Sequence, residues 1–107
     1  MVSIDTILEL LSESRRRYAL YHLDGQDEPV PVDELADAVA EMEADQDPGA
    51  MGDQWGDRIE VSLEHNHLPK AEDADFIEYE PDNGVVRLTG PPPEFGAIIT
   101  VAQVVET

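Results

Sequence analysis

The chain has 107 residues, with 6 Lys and Arg against 25 Asp and Glu, a formal charge of −19 and a pI near 4.1. That length allows one small domain, and a hydrophobic share of 41% is too high for a disordered acidic tail. Cysteine is absent, which excludes disulfides, thiolate metal sites and a cysteine nucleophile.

Ile4, Ile7, Leu8 and Leu11 recur at helical spacing, with Ser3 placed to cap the start. Ser12 offers a second N-cap, ahead of a helix running to Leu23 with Ala19, Leu20 and Leu23 on one face. Asp24-Gly25 ends it, the glycine being suited to a left-handed cap. Glu28-Pro29-Val30-Pro31 reads as a connector, because prolines this dense forbid a helix. The next helix is expected from about Val32 to Glu43, with Leu35, Val39 and Met42 inward and Asp33 and Glu34 favouring its positive end. Ala44 to Gly52 reads as an acidic loop.

A third helix is expected from near Asp57 through Leu68, burying Val61, Leu68 and Ala71 together with Ile59 or Leu63. Pro69 should kink it or start a new turn. Phe76–Glu80 and Val85–Thr89 read as paired strands joined by Pro81-Asp82-Asn83-Gly84, where Asn-Gly supports positive φ. Three helices followed by a hairpin is the element order of a winged helix. Gly90-Pro91-Pro92-Pro93 is a stiff stop. Phe95 to Val105 then contains no charge. Its β-branched residues favour a strand. Gly96, Thr100, Gln103 and Thr107 form a polar stripe of helical period, and helix is the preferred reading. The expected organisation is a winged helix-turn-helix domain over 1–90 and a dimerisation helix within 91–107. The fold class is mainly α with a small β-hairpin wing.

A charge of −19 opposes nucleic-acid binding at ordinary ionic strength, since Lys and Arg supply most non-specific affinity. In molar salt the Debye length falls to about 3 Å, and long-range repulsion vanishes. Acids spread along the whole chain suit such a medium, so a halophilic setting is expected. No apolar run reaches the ~18 residues of a membrane span. The opening Met1-Val2-Ser3-Ile4-Asp5 lacks the basic start of a secretory leader, so a cytoplasmic location is expected.

The segments Leu11–Leu23 (with Arg15-Arg16-Arg17), Pro31–Ala36, Val61–Lys70 and Ile77–Thr89 together resemble a family of short haloarchaeal winged-helix domains of unknown function. The resemblance covers roughly residues 8 to 90 and is most specific at the arginine run and at His67-Leu68-Pro69-Lys70. It implies a winged helix-turn-helix fold and, by fold analogy, transcriptional regulation. This chain departs from the family pattern at Glu60 and Glu64, where apolar or aromatic residues are usual. It departs also at Ala71, where Leu is common, and at Asp75, where Gly is common.

The candidate DNA contacts follow from this reading. Arg15, Arg16 and Arg17 form the one basic cluster and could grip phosphates, although side chains 100° apart cannot all face one ligand, and pairing with acids of the domain is the competing role. Arg58, Ser62, His65, Asn66 and Lys70 lie on the polar side of the third helix, where Asn can read adenine and Arg guanine. Glu60 and Glu64 fall on the same helix and favour an ordinary solvated face. Arg87 on the wing could touch a phosphate.

A homodimer is expected through Phe95, Ile98, Ala102 and Val105, and through Ile4, Leu8 and Leu11. His65 and His67 point apart on a helix, so no metal site or cofactor is expected, and His67 reads as a core-edge residue with a satisfied hydrogen bond. Trp55 reads as a loop anchor ahead of a contact aromatic. No catalytic motif is present, and an enzyme is not expected. The leading function is a DNA-binding regulator. The alternative is a protein-interaction module on the same scaffold, or an acidic DNA mimic.

Overall fold

Residues 4–46, 55–89 and 93–106 are described by a computed structural model, with the backbone alone for Trp55 and Gly56. The order is α1 (Ile4–Leu11), α2 (Ser14–Asp24), β1 (Val30–Pro31), α3 (Val32–Gln46), α4 (Trp55–Ser62), a single π-helical turn (Leu63–His67), α5 (Leu68–Asp73), β2 (Ile77–Glu80), β3 (Val85–Leu88) and α6 (Pro93–Glu106). The chain is mainly helical, with a small three-stranded antiparallel sheet in the order β1-β3-β2.

Among the described residues α2 is the central element. It touches α1, α3, α6, β3 and the π turn. Tyr18, Ala19, Leu20, Tyr21 and Leu23 are all buried, so both sides of the helix are covered and it shows no single apolar stripe. Around it pack Ile7 of α1, Leu35 and Val39 of α3, Ile59 and Leu63, Leu68 of α5, Phe76 and the α6 residues Phe95 and Ile99. The ring centroids of Phe76 and Phe95 are 4.8 Å apart. The segment expected to be an appended dimerisation helix therefore contributes to the same core.

The sheet is larger than the expected hairpin. Val30 pairs with Val86 and Pro31 with Val85, so the supposed connector is an edge strand. Pro31 is tolerated there because an edge strand can leave one amide side unpaired. Val32 N then donates to Gly84 O at 2.8 Å. In the hairpin Tyr79 faces Val86 and Glu80 faces Val85. Gly84 takes φ 63, the left-handed conformation the turn needs, while Asn83 does not. Asp75 also takes a positive φ, 65, at the position where the resembling family carries glycine. Asp is among the few side chains that tolerate it.

Several local expectations are corrected. Ser12 does not cap α2. Its hydroxyl donates back to Glu9 O at 2.7 Å, closing α1, and Glu13 occupies the N-cap position. Gly25 caps α2 with φ −92 rather than a left-handed angle. Ala44, Asp45 and Gln46 continue α3 rather than opening a loop, and α4 begins at Trp55, ahead of the expected Asp57. Val61 is exposed, because Ile59 and Leu63 take the core-facing line and Val61 lies about 200° from each. Pro69 lacks the amide that would bond His65 O, and its ring would meet that carbonyl. The helix widens into a π turn just upstream, with Leu68 N bonded to Leu63 O.

On α6 the expected polar stripe does not mark the solvent face. Phe95 and Ile99 are buried and Ala102 and Glu106 partly so, whereas Val101, Val104 and Val105 are 63, 70 and 78% exposed. The helix is turned by the Phe95–Phe76 contact at one end and by Glu106 at the other, as shown below. Ser3, Asp47 to Gln54, Gly90-Pro91-Pro92, Thr107 and the Trp55 side chain lie outside the described residues, and the readings that fall on them are left there.

Candidate nucleic-acid interface

The helix expected to read DNA runs through α4, the π turn and α5. A π turn advances each residue by less than the 100° of an α-helix. It therefore offsets the drift of an i, i+4 row, and Ser62, Asn66 and Lys70 line one groove. Arg58, His65, Asn66 and Lys70 are exposed and Ser62 is half-buried.

Glu60 and Glu64 lie on the opposite flank. Partial burial, with Glu64, Asp33, Asp57 and Asp37 near it, lifts the Glu60 carboxyl above its ordinary range. Burial first, and then Glu64, Glu60 and Glu72, raise the Tyr79 hydroxyl likewise. Glu60 and Glu64 thus face the start of α3 and strand β2, whereas Ser62, Asn66 and Lys70 face the start of α2.

The arginine run is not a free phosphate grip. Arg15 forms a bidentate pair with Glu43 of α3, Nε and Nη2 at 2.8 and 2.9 Å. Arg16 is 3% exposed and donates to two carbonyls at the end of α1, Leu10 O at 2.7 Å and Glu9 O at 2.9 Å. Arg17 donates to Leu11 O at 2.6 Å and, bidentate, to Glu106 of α6 at 2.6 and 3.0 Å. Its guanidinium also lies over the Tyr18 ring, 5.6 Å from the centroid. Successive side chains about 100° apart reach three different elements, which is why the run binds the fold together. Arg16 is thereby removed as a DNA contact, and Arg15 and Arg17 are committed to carboxylates within the chain. Arg87 on the wing is exposed and meets Glu78 at 3.3 Å across the hairpin.

The expected dimer residues divide as well. Phe95 and Leu11 are buried in the chain's own core, and Ile98 and Ala102 pack partly against it. Ile4, Leu8 and Val105 are exposed. His67 is 5% exposed, and its Nδ1 has no hydrogen-bond partner among the described residues, contrary to the satisfied core-edge histidine expected. Burial, with Arg16 and Arg15 nearby, lowers its pKa and holds the ring neutral. Among the described residues no group of three or more metal-ligating side chains comes together, and no helix is long and apolar enough to cross a membrane.

Glu43, Glu106, Tyr21 and His67 shape this region and were not singled out from the sequence as partners. Arg15 and Glu43 are 28 positions apart and Arg17 and Glu106 are 89 apart, with many other acids between them. The one sequence signal was charge itself, since three adjacent arginines in so acidic a chain must find carboxylates.

Glu106 carries a pH signature. Hydrogen bonds from Arg17 outweigh burial and, with Tyr21 Oη donating at 2.6 Å, hold its carboxyl below the ordinary range. A carboxylate that binds protons more weakly folded than unfolded adds stability above its unfolded pKa. That stability is lost as pH falls toward the lowered value. Glu106→Gln is expected to be less stable than wild type at pH 7 by about 1–2 kcal/mol. In urea titrations the gap should close progressively below about pH 4.5. A gap independent of pH would show that the charge of Glu106 is not what holds α6.

A family model described as a domain of unknown function, DUF7344, matches residues 8–87. No curated protein and no solved structure matches the chain. The matched span runs from α1 through β3, including the arginine run, the π turn and the hairpin. The chain belongs to the DUF7344 family, a domain of unknown function.

Proposed function

We propose that this chain is a winged helix-turn-helix regulator of a halophilic archaeon that binds double-stranded DNA as a homodimer at high salt. Its element order and its sheet order β1-β3-β2 suit that fold, with α4–α5 as the reading helix and β2–β3 as the wing. The observation that carries the reading is that Glu60 and Glu64 lie away from the polar row Ser62, Asn66 and Lys70 on that helix. Arg58, Asn66 and Lys70 stand exposed, while Glu60 and Glu64 sit among Asp33, Asp37 and Tyr79. The acids thus oppose DNA less than their positions in the sequence suggest. Arg58, Ser62, His65 and Asn66 are the candidate base readers, and Lys70 and Arg87 the phosphate contacts.

The dimer in this reading forms through α6, where Val101 and Val105 are exposed on a stretch without charge. In a chain of −19, two copies meet with least repulsion where neither carries carboxylates. This exposed face also favours the second reading, a winged-helix protein-interaction module that engages a different partner there and leaves DNA alone.

Binding to a duplex of the upstream region of its own gene, followed by fluorescence anisotropy in molar potassium chloride, separates the two. The regulator reading predicts saturable binding. Arg58→Ala/Lys70→Ala should weaken it by about tenfold or more and, through the lost Lys70 phosphate contact, reduce the salt slope by roughly one. Absence of binding by the wild type, or an unchanged double variant, would overturn it. Light scattering of Val101→Asp/Val105→Asp is expected to give a monomer where the wild type is a dimer. A monomeric wild type, or a variant that stays dimeric, would remove α6 as the self-association surface.

A further inference from the structure

An α6 dimer built on Val101 and Val105 leaves a second apolar stripe uncovered. Ile4 and Leu8 of α1 stand one turn apart and are 54 and 53% exposed, while Ile7, Leu10 and Leu11 of the same helix are buried in the core. Asp5 and Glu9, both exposed, flank the stripe. The stripe starts from the same corner of the molecule as the α6 valines. Arg17 donates to Leu11 O of α1 and to the Glu106 carboxylate of α6, so the last turns of both helices meet at one guanidinium. Leu8 is about one turn before Leu11, and Val105 adjoins Glu106. Val104 is exposed too, and it lies about 60° round the helix from Val101 and 100° from Val105, on the flank of that pair.

Charge limits what can cover Ile4 and Leu8. A second α1 would set Asp5 and Glu9 against their own copies, and like charges brought together across an interface oppose the pairing. Phe95 to Val105 carries no charge, so a partner copy's α6 can receive the stripe without opposing its carboxylates. The α6 of the same chain is already fixed with Phe95 and Ile99 inward and its valines outward. Size points the same way. Two valines per copy fall well short of the roughly 800 Å² per partner that a stable interface buries. In a two-fold dimer every off-axis contact occurs twice, so adding α1 enlarges the interface on both sides of the axis. Resting on the α6 dimer, we propose that Ile4 and Leu8 dock on the α6 of a second copy of this chain, over its Val104 flank. Two α1–α6 contacts then bracket the α6–α6 contact.

The test is light scattering of the full chain in molar potassium chloride across a dilution series, with Leu8→Lys and Val104→Glu made separately. Both change exposed side chains and leave Val101 and Val105 in place. Each variant alone is expected to dimerise about tenfold more weakly than wild type or worse. Mixed in equal amounts, the two should regain dimer mass at concentrations where each alone is monomeric. In the mixed dimer one α1–α6 contact is wild type, and the other sets the introduced ammonium against the introduced carboxylate. Recovery on mixing also shows that both variants are folded. A Leu8→Lys variant with wild-type affinity, or a mixture that stays monomeric, would overturn the α1–α6 contact while leaving the α6–α6 contact to the Val101→Asp/Val105→Asp variant. A monomeric wild type would instead overturn the dimer itself, so the two failures are distinguishable.

Discussion

Arg15, Arg16 and Arg17 leave α2 about 100° apart, and each ends on a different element. Arg15 reaches α3, Arg16 the carbonyl end of α1, and Arg17 both α1 and α6. The carbonyls of Leu10 and Leu11 are left open by the end of α1, and guanidinium groups supply their donors, while Glu9 O is shared between Arg16 and Ser12. A lysine could not replace this arrangement, because bidentate pairing with Glu43 and Glu106 needs the planar fork. High salt would erase long-range attraction between these charges, but direct hydrogen bonds of 2.6 to 3.0 Å operate within the screening distance.

The position of α6 follows from that tether. Glu106 is drawn to Arg17 and Tyr21 at one end, and Phe95 is buried against Phe76 at the other. With both ends fixed, the helix has one rotation available, and that rotation leaves Val101 and Val105 outside. The same tether commits the basic cluster to carboxylates and carbonyls of the chain itself. Cations exposed on the candidate reading helix are Arg58 and Lys70 instead. Because Arg15 and Arg16 are held at the start of α2, they also lie beside Lys70 and His67, so one constraint organises both the fold and the groove.

Much of the scaffold was legible in the residues. The spacing of Leu35 and Val39 gave α3, the β-branched runs about Asn83-Gly84 gave the hairpin, and the polar stripe after Pro93 gave a helix rather than a strand. What was not legible depends on long-range contact. The strand Val30–Pro31 has two residues and no periodicity, so only its pairing with Val86 and Val85 defines it. The π turn follows from how Pro69 is accommodated, which the sequence leaves open between a kink and a new turn. The candidate site was half legible. Ser62, Asn66 and Lys70 were named and do share a groove, but which side Glu60 and Glu64 occupy depends on where α3 and β2 pack. Among 25 acids, none could be matched to an arginine before folding.

Hydrogen–deuterium exchange of Arg15→Leu, Arg16→Leu and Arg17→Leu in molar potassium chloride tests the arginine hub most directly. The account predicts three different footprints. Arg15→Leu should lose protection at the end of α3, Arg16→Leu at the end of α1, and Arg17→Leu along α6, with smaller changes elsewhere. Protection retained in all three elements would contradict it, since the arginines would then be dispensable to the fold and free for a ligand.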